Sequence, residues 1–246
     1  MNYLAELHEL QRKAERLAFN SYLRTGHVPE DLQEILSFKF TVPTLYYKSS
    51  SFDFIAAIAN GSSLLVGEGN LSFSLSLAQD SRVHPHWLTA TTYQSEGELT
   101  EFAQDNAERL KAFGATVLYG VDATQLHRHF GSALFQNVTF QFPHTGSRAP
   151  VDGRNPNHGL LRNFLISARY TIPDSGKVLV TTVDSPYYRG AFQFDLAAEL
   201  AGYLPPEPYP FMPSRFPGYV HTMTHEDGSA LEDHDTFATW VFRKKK

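Results

Sequence analysis

The residues of this chain that could do chemistry are a glycine turn and several groups of histidines. The turn, Gly67-Glu68-Gly69, follows the apolar run from Ser63 and precedes Leu71 to Ala78, whose apolar period is helical. It therefore stands where a strand becomes a helix. Glycines there let a ligand lie against the backbone, and helix-terminal N–H groups face it. The third glycine of a dinucleotide fingerprint is replaced by Ser72, and no lysine follows as in phosphate-cradling loops, which demotes both uses. Without a ligand the same residues make a tight turn. His84-Pro85-His86, His127-Arg128-His129 and the trio His221, His225 and His234 are candidate metal ligands. None has a recognised ligand spacing with a third acid or cysteine, so solvated or capping histidines and no metal are expected.

The elements that must position these residues begin with helices. Leu4, Leu7, Leu10, Ala14, Leu17 and Ala18 recur at helical spacing, and Pro29 opens a second short helix with Glu30 and Asp31 in its first turn. An aromatic segment from Phe38 to Phe54 follows, and a third helix over about 52–59 stops at Asn60-Gly61. From residue 61 strands and helices alternate. Strands are predicted over Ser63 to Gly67, Trp87 to Thr91, Thr116 to Gly120, Val138 to Phe142 and Lys177 to Val183; helices over Glu98 to Phe113 and Gly159 to Tyr170 separate two of the pairs. Such alternation implies right-handed crossovers and a mostly parallel sheet, with ligands beyond the carboxyl ends of its strands. Prolines then interrupt residues 205–217, after which Tyr219 to Thr224 and Thr236 to Phe242 are predicted as two antiparallel strands. The division is thus a helical cap over 1–60 and a seven-stranded Rossmann-like domain over 61–246.

The domain resembles the 25S ribosomal RNA uridine-N3 methyltransferase-like proteins of the class I S-adenosylmethionine (SAM) superfamily. The resemblance rests on Leu64-Leu65-Val66-Gly67-Glu68-Gly69-Asn70-Leu71-Ser72-Phe73-Ser74 and continues through Gly120-Val121-Asp122-Ala123-Thr124, Phe140-Gln141-Phe142-Pro143-His144, Ser185-Pro186-Tyr187 and Pro217-Gly218-Tyr219-Val220-His221. It implies that Gly67, Glu68, Gly69, Asn70, Ser72 and Phe73 line the methionine end of SAM. Gln94 would meet the ribose, and Asp122 would accept from the adenine amino group beside Ala123; a helix N-cap is the alternative use of Asp122. Gln141 and Phe142 would also border the cofactor, and with Pro143 they fall where nucleobase and amine methyltransferases hold the target nitrogen. Gln141 would orient an amide or imide there, and His144 would take its proton, unless it only caps loop backbone groups.

Tyr46, Tyr47, Phe52 and Phe54 could fold over the sulfonium, since aromatic faces stabilise cations; packing is the commoner use of such a cluster, and the same applies to Tyr187. Three positions depart from the family pattern: Asn70 and Gln94 replace acids, and Gln141 replaces an asparagine.

Composition narrows the chemistry. Zero cysteines exclude thiolate zinc, cysteine nucleophiles and radical-SAM clusters. The 21 Lys and Arg against 26 Asp and Glu give a formal charge of −5, which argues against a large nucleic-acid footprint. No signal-like or membrane-length apolar run appears, so a soluble cytoplasmic protein is expected. The reading is an N-methyltransferase acting on a small-molecule or nucleobase-like acceptor, slightly favoured over RNA itself, leaving S-adenosylhomocysteine (SAH). Its rivals are intramolecular attack within SAM, releasing methylthioadenosine, and a SAM-binding scaffold without turnover.

Overall fold

The computed structural model describes residues 52–147, 155–221 and 236–245, together with Lys13, Ala14, Leu17, Ala18 and Ser21, which lie in a helix. Ala14 and Ala18 are buried there, but Leu17, expected on the same apolar face, is half exposed. The second expected helix, most of the aromatic segment and Tyr46 and Tyr47 lie outside the described residues.

Seven strands form one sheet in the order β3-β2-β1-β4-β5-β7-β6. They are β1 (Ser63–Val66), β2 (Leu88–Thr91), β3 (Thr116–Leu118), β4 (Asn137–Gln141), β5 (Lys177–Val183), β6 (Glu207–Phe211) and β7 (Phe237–Arg243). The first five are parallel, and β7 runs antiparallel to both β5 and β6. This is the class I methyltransferase plan.

Central parallel strands are covered on both faces, which is why they read as unbroken apolar runs. Side chains alternate between two cores. Leu64, Val66, Val138, Phe140, Val178, Val180, Trp240 and Phe242 enter one core. There they meet Leu161, Phe164 and Leu165 of α5 (Pro156–Arg169) and Ala197 and Ala198 of α7 (Phe194–Ala201). Leu65, Leu179 and Val241 enter the other, under α1 (Phe54–Ala59), α2 (Ser72–Ala78) and α3 (Glu101–Ala112). Two further short helices are α4 (Leu126–Phe130), after β3, and α6 (Pro186–Phe192), after β5.

One expected strand is corrected. The second partner of β7 is β6, inside the proline-rich stretch; of the expected strand Tyr219 to Thr224 only 219–221 are described, and they form no strand. Pro208 and Pro210 are two residues apart, so both turn their missing N–H to the same side, and on an edge strand that side needs no donor. Tyr219 to His221 instead run as an arm back across the carboxyl ends of the strands. Smaller shifts have local causes. Trp87 belongs to a 3-10 turn opened by Pro85 rather than to β2, and Ser95 and Glu98 close a capping box one turn before α3. Asn60 ends α1 without a left-handed residue (φ −88°), and Gly61 beside it takes φ +149°.

Candidate functional site

The turn after β1 is built so that only glycine fits its first position. Gly67 has φ +64°, and a Cβ there would lie 2.5 Å from Cε2 of Phe140 on β4. The Glu68 N–H donates to Thr91 O at 3.0 Å, fastening the turn to the end of β2. Leu71, the residue before α2, also takes a left-handed conformation (φ 61°), a strained choice for a side chain with a γ-branch.

Glu68 is 7% exposed. Its Oε1 accepts from the Ser74 N–H at 3.2 Å, whereas its Oε2 is buried with no hydrogen-bond partner among the described residues. Burial pushes the carboxyl up to about 7, against the smaller opposing pull of Ser74. A carboxylate at the start of α2 occupies the place where a dinucleotide fold receives its pyrophosphate. It disfavours an anionic ligand there and favours a cationic one. The donor set therefore fits SAM, whose methionine end carries a sulfonium and an ammonium.

Asn70 explains why the expected acid is absent. Its Nδ2 donates to Val220 O at 2.8 Å while its Oδ1 accepts from the Ser72 N–H at 3.1 Å, and a carboxylate could not make the first bond. The Ser72 hydroxyl donates to Val220 O and accepts from the Val220 N–H, each at 3.0 Å. Asn106 of α3 donates to Asn70 O at 2.9 Å. Phe73 is sunk among Phe54, Phe216 and Tyr219, with ring centroids 4.9–5.7 Å apart, and so supports the turn from the core side.

The ends of β2 and β3 are tied together. Thr92 N–H donates to Leu118 O, Val121 N–H to Thr92 O and Gly120 N–H to Gln94 O. The side chain of Gln94 is exposed, and nearby Glu96 stands 3.7 Å from Lys111. Asp122 caps the following turn: its Oδ1 accepts from the N–H and hydroxyl of Thr124 at 2.8 and 2.7 Å, and its Oδ2 from Gln125 at 3.0 Å. Burial works to raise its pKa, but these bonds together outweigh burial and hold it below the ordinary value. Ala123 beside it is buried.

At the end of β4, both polar atoms of the Gln141 side chain are buried without a partner among the described residues. Phe142 has φ 48°, its N–H donating to Thr181 O at 2.8 Å. Pro143 is buried. His144 is half-buried, and its Nδ1 accepts from the Gly146 N–H at 2.8 Å. In the neutral ring the proton therefore sits on Nε2, which makes that nitrogen a donor rather than a base. Tyr187, half-buried in the first turn of α6, packs edge-on against Tyr188 at 5.4 Å.

The arm from Tyr219 to His221 joins the two halves of this site. Val220 holds the glycine turn, and the next residue, His221, packs edge-on against Phe142 with centroids 4.7 Å apart. Burial lowers the His221 pKa to about 4, so its ring is neutral at neutral pH. Neither residue stood out as a site residue in the sequence, where His221 read as one of a solvated trio. The other two members, His225 and His234, lie outside the described residues. Among the described residues no three His, Asp or Glu side chains gather as a metal site; His84 instead stacks with His86 and packs edge-on against Trp87.

Residues 64–223 match the family model described as rRNA (uridine-N3-)-methyltransferase BTM5-like. The chain belongs to this BMT5-like family. The matched range contains the glycine turn, Asp122, Gln141 to His144 and the arm, so the family pattern covers every part that meets at the site. Ferredoxin-fold anticodon-binding domain-containing protein 1 of Homo sapiens is 34% identical over 173 residues, and its Mus musculus homolog 34% over 175, in each case 65% of this chain and 27% of the relative. The chain thus spans little over a quarter of these curated relatives' length. A solved antibiotic-related methyltransferase aligns over 80% of this chain and 98% of its own, at 11% identity and a TM-score of 0.47.

Proposed function

We propose that this BMT5-like domain uses SAM to methylate an imide nitrogen of a nucleobase, with N3 of a uridine in ribosomal RNA as the acceptor. The observation that carries the reading is Gln141, whose buried amide has no partner among the described residues at the carboxyl end of β4. An unpaired buried amide costs stability, so it is explained by a ligand that supplies both halves of the pairing. An imide does so, because its N–H is flanked by two carbonyl oxygens.

Bound SAM supplies an electrophilic methyl group. The residues of the chain then have two tasks, alignment and proton removal. A uracil-type nitrogen attacks only after losing its proton, and the charge left behind spreads to the neighbouring oxygens. Gln141 Nε2 and the Nε2–H of His144 are donors suited to those oxygens, and donors fixed before charge develops stabilise it most. In this reading His144 lowers the acceptor's proton affinity by donation instead of acting as the base, and the N3 proton passes to solvent water. Gly67, Asn70 and Ser72 hold the cofactor turn, and Asp122, through the remaining lone pairs of its capped carboxylate, receives the adenine amino group.

The test is incubation of the purified chain with SAM and ribosomal RNA, followed by nucleoside mass spectrometry. Formation of 3-methyluridine supports the proposal. Methylation of free uridine but not RNA would replace the acceptor with a small molecule; methylthioadenosine from SAM and protein alone would replace the reaction. SAM affinity with no product under any condition would leave a binding scaffold.

A further inference from the structure

Among the described residues Glu68 has no cationic partner, and its buried Oε2 accepts no hydrogen bond. Among the described residues, the groups that act on its carboxylate are Ser74 from α2 and Tyr219 from the arm, whose phenol is pushed upward first by its own burial and then by the charge of Glu68. No cation is among the groups that set its titration. Burying an unpaired carboxylate is costly, and near neutrality the free chain meets that cost by holding a proton. The residue nonetheless lies between the two glycines of the cofactor turn, where a neutral side chain would cost less.

We infer that Glu68 is the charge-selecting residue of the cofactor site: its carboxylate is the counter-ion of SAM, favouring the sulfonium form over the neutral-sulfur product SAH. The inference rests on the SAM reading above. SAM carries one more positive charge than SAH, and that charge disappears from sulfur when the methyl group leaves. A partly buried carboxylate a few ångströms away feels the difference strongly because water screens it poorly. SAM binding therefore requires the ionised carboxylate and drives its proton into solvent. After transfer the carboxylate again lacks a counter-ion at sulfur, which favours reprotonation and product release.

The experiment is calorimetric titration of the full chain with SAM and with SAH at pH 7, each in phosphate and in Tris, whose different ionisation enthalpies report protons released. SAM is expected to release a substantial fraction of a proton and SAH clearly less. Glu68→Gln should weaken SAM by about tenfold, leave SAH within about twofold, and abolish the proton release. Equal release for both ligands in the unaltered chain, which needs no variant to fold, would overturn the inference, as would equal weakening of both by Glu68→Gln. In either case SAM use would stand. Binding of neither ligand to the unaltered chain would overturn the cofactor reading and this inference with it.

Discussion

Gly67 lies directly over the ring of Phe140, with room for no side chain: a Cβ would come within 2.5 Å of Cε2 and 3.0 Å of Cζ. The first glycine of the turn after β1 is thus fixed by β4, the strand that ends at Gln141. Phe140 cannot retreat easily, because it is buried and packs edge-on against Phe164 of α5 at 5.1 Å. Gly67→Ala is expected to cost about 2–4 kcal/mol, combining left-handed strain with overpacking. Urea unfolding measures the loss. The surviving folded protein should bind SAM more than about tenfold more weakly, since the turn must move to relieve the clash.

The arm is held to the turn chiefly through one hydroxyl. Ser72→Ala removes two bonds to Val220 and leaves a backbone N–H with no partner, a loss of about 1–3 kcal/mol. The arm also brings His221 against Phe142, so its loosening should raise KM for SAM and lower kcat together. Steady-state kinetics with varied SAM checks this; an unchanged KM would mean that the arm does not shape the cofactor site.

The sequence makes some of these parts legible and hides others for physical reasons. β1 and β5 show as apolar runs because both faces are buried, and Gly67-Glu68-Gly69 shows because a left-handed turn under a ring leaves few residue types. β6 was hidden because Pro208 and Pro210 read as breakers until the strand is known to be an edge. The α6–α7 joint was hidden as well, because Gln193 takes φ 48° there without a glycine to announce it. The Ser72 hydroxyl meets only backbone atoms of Val220, 148 residues away, so the type of residue 220 gives no sign of the contact. Asp122 illustrates a third case: capping and adenine binding call for the same residue at the same place, so residue type alone could not separate them.

Gln141 gives opposite expectations for stability and activity. Gln141→Leu replaces two unpartnered buried polar atoms with apolar ones, so the melting temperature should hold or rise. SAM affinity should change little, while methylation should fall on the order of 100-fold because the acceptor loses its fixed donor. Gln141→Asn, which restores the residue usual in the family pattern, should keep part of the activity. Loss of SAM binding in Gln141→Leu would instead assign the amide to the cofactor.

The pH dependence of stability should show two opposed slopes. Glu68 is raised from 4.5 to about 7 by burial, so the folded chain holds its proton more tightly than the unfolded chain. Its contribution is complete below 4.5 and is lost as pH rises through about 7. His221 is lowered from 6.5 to about 4, also by burial, so the unfolded chain holds that proton more tightly. This contribution is present above 6.5 and is lost as pH falls through about 4. Between about 4.5 and 6.5 the two largely cancel, and unfolding free energy in urea should be nearly level there, then fall slightly as pH passes 7 and level off above it. Glu68→Gln removes only the first slope. It should leave stability rising from pH 4 to 6.5, level above that, and greater than that of the unaltered chain at pH 8. Saturating SAM should suppress the same decline in the unaltered chain by supplying the missing cation. A decline that persists in Glu68→Gln would assign it to another group and leave Glu68 ionised at neutral pH.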